Sequence, residues 1–358
     1  MRVLIVDPYY PEVLAALYAA QSGLADAPYD AQWRAIMDLA FGTSDVYSFH
    51  FTALGHDAHE IVPNCRPLQI AWAREHAPRL ARLPWRLGAQ AILLAQAERY
   101  RADVVYVHSI GAFRPTVLKA MRRRARLLVG QIASAPPQRE RVRVYDVLLT
   151  SFPHFVGRLE VPTEFLRLGF DERVLDRVKC PPRHDIVFVG QLGGPHHRRG
   201  NTVVESAAHH IPIDVWGPGV EEWPPDSPWR ARHYGPAWGI EMYAILRGAR
   251  IAINRHIDSS EGYANNMRLF EATGMGTLLL TDQLEGLGDL FVPGREVITY
   301  TDVEDLVEKA RWYLAQEDER SAVAATGQAR TLREHTYGAR VSELVVILDR
   351  YLGETRRP

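Results

Sequence analysis

Residues 253–281 read INRHIDSSEGYANNMRLFEATGMGTLLLT, and this stretch decides the fold. Its first apolar residues are typical of the end of a buried strand, and the polar loop after them leads to an asparagine that can cap a helix. Gly274 and Gly276 then form a tight turn into a second apolar strand at 277–281. Strand, helix and strand in this order predict one repeat of a parallel α/β sheet.

The same alternation extends in both directions along the chain. Further strands are predicted at 2–7, 103–108, 126–132, 144–150, 184–190, 211–216 and 249–254. Apolar residues at helical spacing predict helices at 29–46, 68–76, 85–100, 303–314, 320–335 and 338–352. Strands that alternate with helices in this way indicate doubly wound parallel sheets, covered on both faces.

A proline-rich segment at 178–183 interrupts this pattern, because proline cannot continue a helix. We expect a Rossmann-like N-terminal domain at 1–178 and a second Rossmann-like domain at 184–335. The C-terminal helix, within 336–358, is expected to pack back toward the first domain. Ligands of such sheets bind beyond the carboxyl ends of the strands, so we expect the two domains to face a central cleft.

Composition excludes several classes of protein. The 358 residues carry 42 Lys plus Arg and 43 Asp plus Glu, a net charge of −1, which disfavours a general nucleic-acid binder. The basic cluster at 122–126 lacks interleaved aromatic residues and is interpreted as a solvated helix end. Neither a signal peptide nor an apolar run long enough to span a bilayer is visible. The two cysteines form no motif, which favours a reducing cytoplasm.

Several nucleotide and catalytic motifs are missing. The sequence has no GKS or GKT triplet, no GxGxxG after either opening strand, and no GxSxG or HExxH. The acidic DxD pair that holds a metal against a nucleotide diphosphate is also missing. We therefore expect neither a cofactor nor a dedicated metal.

The helix that begins after Asn265 or Asn266 is a candidate anion site. Its first N–H groups and the positive end of its dipole can face a diphosphate. Arg268 and Glu271 lie three residues apart on one helix face, where the guanidinium can reach a phosphate and the carboxylate a ribose hydroxyl. The alternative is an exposed ion pair on an ordinary capped helix.

A second candidate anion site follows the strand at 184–190. Glycines permit close approach of the backbone to a phosphate, and neighbouring arginines can neutralise it. The alternative is a flexible surface loop with solvated arginines. The candidate residues here and at the end of the strand at 249–254 are Gly190, Gln191, Arg198, Arg199, Asn254 and Arg255.

Several of these motifs, in fixed order, resemble a known family. They are residues 266–272 (NMRLFEA) with Gly274 and Gly276, Thr281-Asp282, residues 290–297 (LFVPGREV) and His335-Thr336-Tyr337. Together they look like the spore-maturation CgeB-type branch of the group 1 glycosyltransferases, which are similar to family 4 enzymes of the GT-B fold. The resemblance covers residues 184–350 well and residues 1–175 weakly. It implies that the second half binds a nucleotide-sugar donor and the first half an acceptor.

Glu271 matches the second glutamate of the family's E-x7-E motif, which contacts the nucleotide ribose. Tyr263 stands where the first glutamate is usual. Only Glu261 or Asp258, through a rearranged loop, offers a substitute. Because of this departure, the family's contacts with the donor sugar are not expected unchanged here. The same departure weakens the inference of a retaining mechanism from the family.

In the first half, Asp7 and His108 lie at predicted strand ends. Either is a candidate catalytic base for an acceptor hydroxyl, and the alternative for each is a structural turn residue. Tyr9 and Tyr10, between two prolines, replace the glycine-rich loop common in family 4 enzymes. They are expected to shape the site of a ring-bearing acceptor.

The sequence thus predicts a metal-independent cytoplasmic glycosyltransferase. Its acceptor would be a hydroxyl of a glycan, a cell-surface precursor or a small molecule. Two alternatives remain open: a sugar-nucleotide 2-epimerase of the same fold, and a binding or assembly protein without turnover, which the missing first glutamate favours.

Overall fold

The computed structural model describes residues 1–132, 138–179, 181–194 and 196–354, apart from the side chains of Arg199 and Ser259. The chain divides into two compact units. The first comprises residues 1–167 and the C-terminal segment from Arg340 onward, and the second comprises residues 168–339. Each unit is built around one parallel sheet.

The first unit contains a six-stranded sheet in the order β2-β1-β3-β4-β5-β6. Its strands are β1 (Arg2–Val6), β2 (Asp57–Ile61), β3 (Val104–Val107), β4 (Leu127–Ile132), β5 (Val147–Thr150) and β6 (Thr163–Phe165). All pairs are parallel, and β3 and β5 are buried along their whole length, so they read as continuous apolar runs.

Helices connect these strands. They are α1 (Pro11–Ala20), α2 (Tyr29–Met37), α3 (Val46–Ala53), α4 (Arg66–His76), α5 (Pro78–Ala81), α6 (Trp85–Tyr100), α7 (Pro115–Arg122) and α8 (Arg139–Val142). The helix predicted at 29–46 is wrong in its second half. Residues Ala40, Gly42 and Ser44 have positive φ angles of 49°, 60° and 47°, which a right-handed helix cannot contain.

The second unit contains a five-stranded parallel sheet in the order β11-β10-β9-β7-β8. Its strands are β7 (His184–Val189), β8 (Asp214–Trp216), β9 (Ala249–Asn254), β10 (Leu278–Asp282) and β11 (Ile298–Tyr300). Its helices are α9 (Val174–Arg177), α10 (Arg198–Ala208), α11 (Pro228–Ala231), α12 (Ile240–Gly248), α13 (Met267–Gly274), α14 (Val303–Ala315) and α15 (Glu317–Glu334).

Residues 168–179 belong to the second unit, so this unit begins before the proline-rich segment. The Phe170 N–H donates to the His335 carbonyl (2.8 Å), and the Tyr337 N–H donates to the Phe170 carbonyl (3.0 Å). A Cβ at Gly274 would lie 2.6 Å from the Phe170 ring, which explains a glycine at that point of α13. Packing in the second core therefore sets this boundary.

The last helix, α16 (Tyr337–Glu354), packs against the first unit through its C-terminal half. Arg350 and the Tyr351 hydroxyl each lie 2.7 Å from the Glu164 carboxylate. Arg126 donates to the Leu352 carbonyl at 2.9 Å.

All eight strands predicted from the sequence are present, which confirms the α/β fold class. Three further strands, β2, β6 and β11, were not predicted. β2 lies at an edge of its sheet and reads DAHEI, with only its last two residues buried, so it lacks an apolar run. β6 and β11 have three residues each, too few for a periodic signal.

Candidate functional site

Each sheet has one point at which the order of its strands reverses. In the second sheet it lies between β7 and β9, because β8 is added beyond β7 and β10 beyond β9. In the first sheet it lies between β1 and β3. Ligands of doubly wound sheets bind beyond the carboxyl ends of strands at such points. The residues that follow these four strands are therefore the candidate site residues.

We call the residues at this point of the second sheet the second-unit site: loop 190–194, residues 254–256, helix α13 and Asp282. The loop after β7 runs close to the loop after β8. A Cβ at Gly217 (φ 142°) would lie 1.7 Å from the Gly190 carbonyl oxygen. A Cβ at Gly219 (φ 95°) would lie 2.4 Å from the Gly193 nitrogen. Glycine at both positions is what allows this close approach.

A carboxylate already contacts this glycine loop. The Gly194 N–H donates to Glu222 at 2.9 Å, and a Cβ at Gly193 would meet the same carboxyl group. The backbone of this loop thus binds an anion, and here that anion is a side chain of the protein. The predicted Gln191 side chain is exposed, while its carbonyl accepts a hydrogen bond from Asn201 at 2.9 Å.

Arg255 is the most unusual charge of the second-unit site. Only 6 % of the residue is exposed, and its guanidinium donates to the Asn201 amide oxygen (2.7 Å), to His197 Nδ1 (2.8 Å) and to the His256 carbonyl. A Cβ at Gly200 would lie 2.4 Å from the Arg255 side chain, so only glycine at this position leaves space for that side chain. Among the described residues, none forms an ion pair with it.

Burial shifts two pKa values in this cluster. It lowers the pKa of the Arg255 guanidinium, although arginine remains charged at any physiological pH. Burial, together with the positive charge of Arg255, also lowers the pKa of His197. At neutral pH the imidazole is therefore neutral, and the cluster keeps one buried positive charge.

Sequence reasoning missed the pair His256 and Asp282. The His256 backbone N–H donates to Asp282 at 3.0 Å, and Nδ1 of its ring lies 2.6 Å from the other carboxylate oxygen. Burial alone would raise the pKa of Asp282, but its hydrogen bonds with His256 hold it below its usual value. Among the residues that the structure describes, Nε2 of His256 is buried without a hydrogen-bond partner. Asp282 ends β10, the neighbour of β9, so the strand-end rule would have found this pair.

Asparagines organise the entry to α13. Asn266 caps the helix by accepting from the Leu269 N–H at 3.2 Å, as predicted. Its amide nitrogen donates to the Asn254 side chain at 2.9 Å, and Asn254 in turn donates to the Thr281 hydroxyl at 3.0 Å. Both atoms of the Asn254 amide are thus bound by protein. Asn254 therefore holds the capping residue Asn266 in place, and its amide is not free to bind a ligand.

Arg268 and Glu271 form the ion pair that their spacing predicts, at 2.8 Å. The pair is largely buried, with 15 % and 8 % of the two side chains exposed, so the alternative of an exposed pair is wrong. Burial raises the pKa of Glu271, and the charge of Arg268 acts in the opposite direction. Arg268 also contacts the Met242 sulfur at 3.1 Å.

Tyr263 fills the place of the first motif glutamate with a packing contact. The Ala264 N–H donates to the Glu285 carbonyl (2.8 Å), and the Glu285 N–H donates to the Gly262 carbonyl (3.1 Å). A Cβ at Gly286 would lie 2.2 Å from the Tyr263 ring. Glu261 and Asp258 are both exposed.

The other predicted arginines lie at the start of α10. Arg198 is its first residue and is exposed. The Arg199 side chain lies outside the part of the chain that the structure describes. Within the described ranges, no group of three or more His, Cys, Asp or Glu residues is arranged to hold a metal ion.

In the first unit, the structure brings together the two predicted catalytic residues. Asp7 follows β1, His108 follows β3, and the carboxylate lies 3.5 Å from Nδ1 of the imidazole. Tyr47 and Tyr106 hold the ring by edge contacts, with ring centroids at 4.9 and 4.5 Å. Nε2 of His108 is buried and has no hydrogen-bond partner within the described ranges. We call Asp7 and His108 the first-unit pair.

The two tyrosines predicted to contact an acceptor differ in exposure. Tyr10 is 55 % exposed and packs against the edge of Phe41 at 5.4 Å. Tyr9 is 4 % exposed and belongs to the core, where it also packs on Phe41, at 5.2 Å. A buried Tyr9 cannot contact a ligand directly, contrary to the expectation. It packs in the core instead and supports the loop that carries Tyr10. Asn64 fixes that loop through hydrogen bonds with both backbone groups of Tyr9.

Comparison with known proteins gives the fold a name. Residues 198–345 match the model of the family described as glycosyl transferase-like. A glycosyltransferase from Rickettsia africae ESF-5 superposes with a TM-score of 0.61 at 11 % identity, covering 98 % of each chain. Sucrose-phosphate synthase from Thermosynechococcus elongatus gives 0.59 at 12 % identity, covering 99 % of this chain and 100 % of the other. The chain has the GT-B fold.

A third GT-B structure is that of Anabaena Alr3699/HepE, solved in complex with UDP and glucose. It superposes with a TM-score of 0.58 at 12 % identity, covering 98 % of this chain and 100 % of the other. No curated protein matches the sequence. In the described part of this GT-B chain, no helix is both long and apolar enough to cross a lipid bilayer.

Proposed function

We propose that this protein is a glycosyltransferase of the CgeB-type branch, of the hexosyltransferase type. It moves a sugar from a nucleotide-sugar donor to a hydroxyl of a glycan, a cell-surface precursor or a small molecule, without a bound metal. The match of residues 198–345 to a glycosyl transferase-like family and the GT-B fold support the reaction class. We place the reaction in the cytoplasm, where the buried Cys65 remains a free thiol.

The observation that carries the proposal is the buried charge of Arg255. Its hydrogen-bond partners are an amide oxygen, a carbonyl and an imidazole nitrogen, all of them neutral. A buried charge that no carboxylate contacts is unfavourable, and its field extends further in a low dielectric. Asp282 and Asp258 act on Arg255 only through space. A diphosphate at the carboxyl ends of β7 and β9 would supply a negative charge in direct contact with it. The same field stabilises the nucleoside diphosphate as it leaves the sugar.

Helix α13 completes the proposed donor site. Its N-terminus, capped by Asn266, adds a positive dipole end. Arg268 holds Glu271 in one orientation through their ion pair, and we assign Glu271 to the ribose hydroxyls of the donor. UDP-glucose is the first donor to test, since the structural neighbour HepE was solved with it.

We assign the first-unit pair to the acceptor. The acceptor oxygen forms a bond to the anomeric carbon, while the bond from that carbon to the diphosphate oxygen breaks and its electron pair leaves with the nucleotide. Nε2 of His108 takes the hydroxyl proton, and Asp7 stabilises the imidazolium that results. The exposed ring of Tyr10 beside Phe41 offers an apolar edge to a ring-bearing acceptor.

One observation favours a second function, that of a nucleotide-binding protein without turnover. Tyr263 occupies the place of the first motif glutamate and packs on Gly286, so a family contact with the donor sugar is absent at this position. Such a protein would bind nucleotide without consuming any donor.

The test uses UDP, GDP, ADP and UDP-glucose in a thermal-shift panel with the full chain. A ligand that binds only the folded state raises its unfolding temperature, and we expect at least one nucleotide to do so. Arg255→Gln should weaken nucleotide binding about tenfold or more, because it removes the buried charge. Arg295→Gln, at an exposed arginine of the same unit, is the matched control and should bind like wild type.

Turnover distinguishes the alternatives. Consumption of the sugar nucleotide only when an acceptor is added, and equally in EDTA, supports the proposed transferase. Conversion without an acceptor would indicate a sugar-nucleotide 2-epimerase, and nucleotide binding without consumption a binding protein. No shift with any nucleotide, or equal binding by Arg255→Gln, would contradict the donor site.

A further inference from the structure

One corner of the first unit exposes positive charge and apolar surface together. It is formed by residues 78–87, which read PRLARLPWRL and comprise helix α5, a short link and the start of α6. Leu87 is 68 % exposed and Leu83 is 39 % exposed. We use the name arginine-leucine patch for six side chains of this corner: Arg79, Arg82, Leu83, Trp85, Arg86 and Leu87.

The backbone holds this patch in a defined arrangement. Leu80 packs against the core of the first unit, and its carbonyl accepts the Leu83 N–H at 3.1 Å. The Gly88 N–H donates to the Pro84 carbonyl at 2.9 Å. A Cβ at Gly88 would lie 3.5 Å from the Leu83 Cβ, so the link runs close to the first turn of α6, which carries Leu87. The two exposed leucines therefore lie near one another.

The three arginines of the patch carry positive charge that no carboxylate balances. Arg79, Arg82 and Arg86 are exposed, and none of them forms an ion pair in the part of the chain that the structure describes. The sequence has no Asp or Glu between Glu75 and Glu98, and both of those carboxylates contact other groups. The patch is therefore locally cationic, although the net charge of the whole chain is −1.

Trp85 adds a side chain suited to the boundary between an apolar phase and water. It begins α6 in the middle of the patch and is half-buried, and its indole N–H donates to no group within the described ranges. Tryptophan is enriched at membrane interfaces, because its ring is apolar and one edge is polar. Arginines interleaved with leucine and tryptophan place charge at lipid headgroups and apolar atoms at the acyl boundary.

We propose that the arginine-leucine patch binds the surface of a bilayer that contains anionic phospholipid. The phosphates of such a surface balance the three arginines, and its acyl region covers the two leucines. A second copy of the chain fits less well, since a two-fold contact of the patch with itself would bring like charges together. A nucleic-acid backbone would leave the leucines without an apolar partner. The proposal does not depend on the proposed transferase activity.

Sedimentation of the full chain with lipid vesicles tests the proposal. We expect binding to phosphatidylcholine vesicles that contain about 30 % phosphatidylglycerol, and binding about tenfold weaker or less to phosphatidylcholine alone. The double variant Arg82→Glu, Arg86→Glu should bind the anionic vesicles about tenfold more weakly or less, since each cation near such a surface contributes roughly fivefold. The double variant Arg183→Glu, Arg295→Glu, at exposed arginines of the second unit, changes the net charge equally and should bind like wild type.

Two further variants test the apolar part of the patch. Leu87→Ser should weaken binding about threefold or more, because it removes an apolar side chain that the bilayer would bury. Val346→Ser is the matched control, at a side chain 72 % exposed in the same unit, and should bind like wild type. Bromine on the acyl chains should quench part of the tryptophan emission of wild type, and Trp85→Phe should lose that quenching.

Several results would overturn the proposal. These are no binding to either vesicle, equal binding to both, equal binding by the Arg82→Glu, Arg86→Glu variant, or quenching that Trp85→Phe retains. Association of two copies without lipid that Leu87→Ser abolishes would instead identify an interface between copies. Salt-dependent binding of a DNA duplex that the same arginine variant abolishes would identify a nucleic-acid site. UDP binding should be unchanged in all these variants, so failure of this proposal leaves the donor site untouched.

Discussion

Glu60 is a buried acid of the first unit whose ionisation opposes folding. It is 2 % exposed in β2, and one carboxylate oxygen accepts the Ser48 N–H at 2.8 Å, while the other has no hydrogen-bond partner in the described part of the chain. Burial raises its pKa from 4.5 to about 7, against the hydrogen bond from Ser48 and with a smaller contribution from Asp45. Tyr9, Tyr29 and Tyr100 also face it, and all three are neutral.

The raised pKa predicts a pH-dependent stability. The folded protein holds this proton more tightly than the unfolded chain does. The contribution of Glu60 to stability is therefore complete below about pH 4.5 and is lost as the pH rises toward 7. A shift of this size corresponds to a free energy on the order of 3 kcal/mol. Glu60→Gln should thus be more stable than wild type at pH 8, by about 1–3 kcal/mol, and about equal at pH 4.5.

Urea denaturation of both proteins at pH 4.5 and pH 8 measures this difference. Glu98→Gln is the control, since its side chain is exposed, and it should show no pH-dependent difference. A destabilised Glu60→Gln at pH 8 would mean that the carboxylate is needed in its charged form.

At the scale of elements, the loop after β7 and the loop after β8 act together. The Gly194 N–H that a phosphate would use is bound by Glu222 at 2.9 Å. A bound diphosphate must displace this carboxylate or tolerate its negative charge. Glu222→Ala should therefore bind UDP more tightly, about two- to tenfold, because it frees the N–H and removes the repulsion.

Titration with UDP followed by calorimetry checks this prediction. Glu221→Ala is the matched control: Glu221 is the exposed neighbour, and only its carbonyl is used, as the acceptor from Arg230 at 2.7 Å. Weaker UDP binding in Glu222→Ala would instead show that the carboxylate contributes to the ligand site.

At the scale of the whole molecule, the near-zero net charge is also balanced locally. Three arginines of the cluster at 122–126 pair with carboxylates: Arg122 with Asp146 at 2.5 Å, Arg124 with Glu98 at 3.5 Å and Arg126 with Asp103 at 3.4 Å. Nucleic-acid binding depends on cations that displace counterions from phosphate. Paired arginines in a protein with a net charge of −1 do this poorly.

We therefore expect no binding of a labelled DNA duplex at about 150 mM salt, measured by fluorescence anisotropy. UDP binding should depend only weakly on salt, because Arg255, its proposed counter-charge, is buried. Duplex binding that weakens steeply between about 50 and 200 mM salt would contradict this expectation and would indicate a nucleic-acid function.

The sequence by itself determined the fold class, eight of the strands and the capped helix α13. Apolar runs, glycine turns and the Asn266 cap are local signals, and each can be recognised within a few residues. The spacing of Arg268 and Glu271 likewise predicted their ion pair, because a helix brings residues three apart together.

Only the tertiary structure decided which side chains meet and which are buried. The contacts of Arg255 with His197, of Asp282 with His256 and of Glu222 with Gly194 join residues 26 to 58 positions apart. Sheet order brings them together, and no local pattern encodes it. Burial is equally non-local: packing leaves Tyr10 exposed but buries its neighbour Tyr9, and it buries the charged residue Arg255.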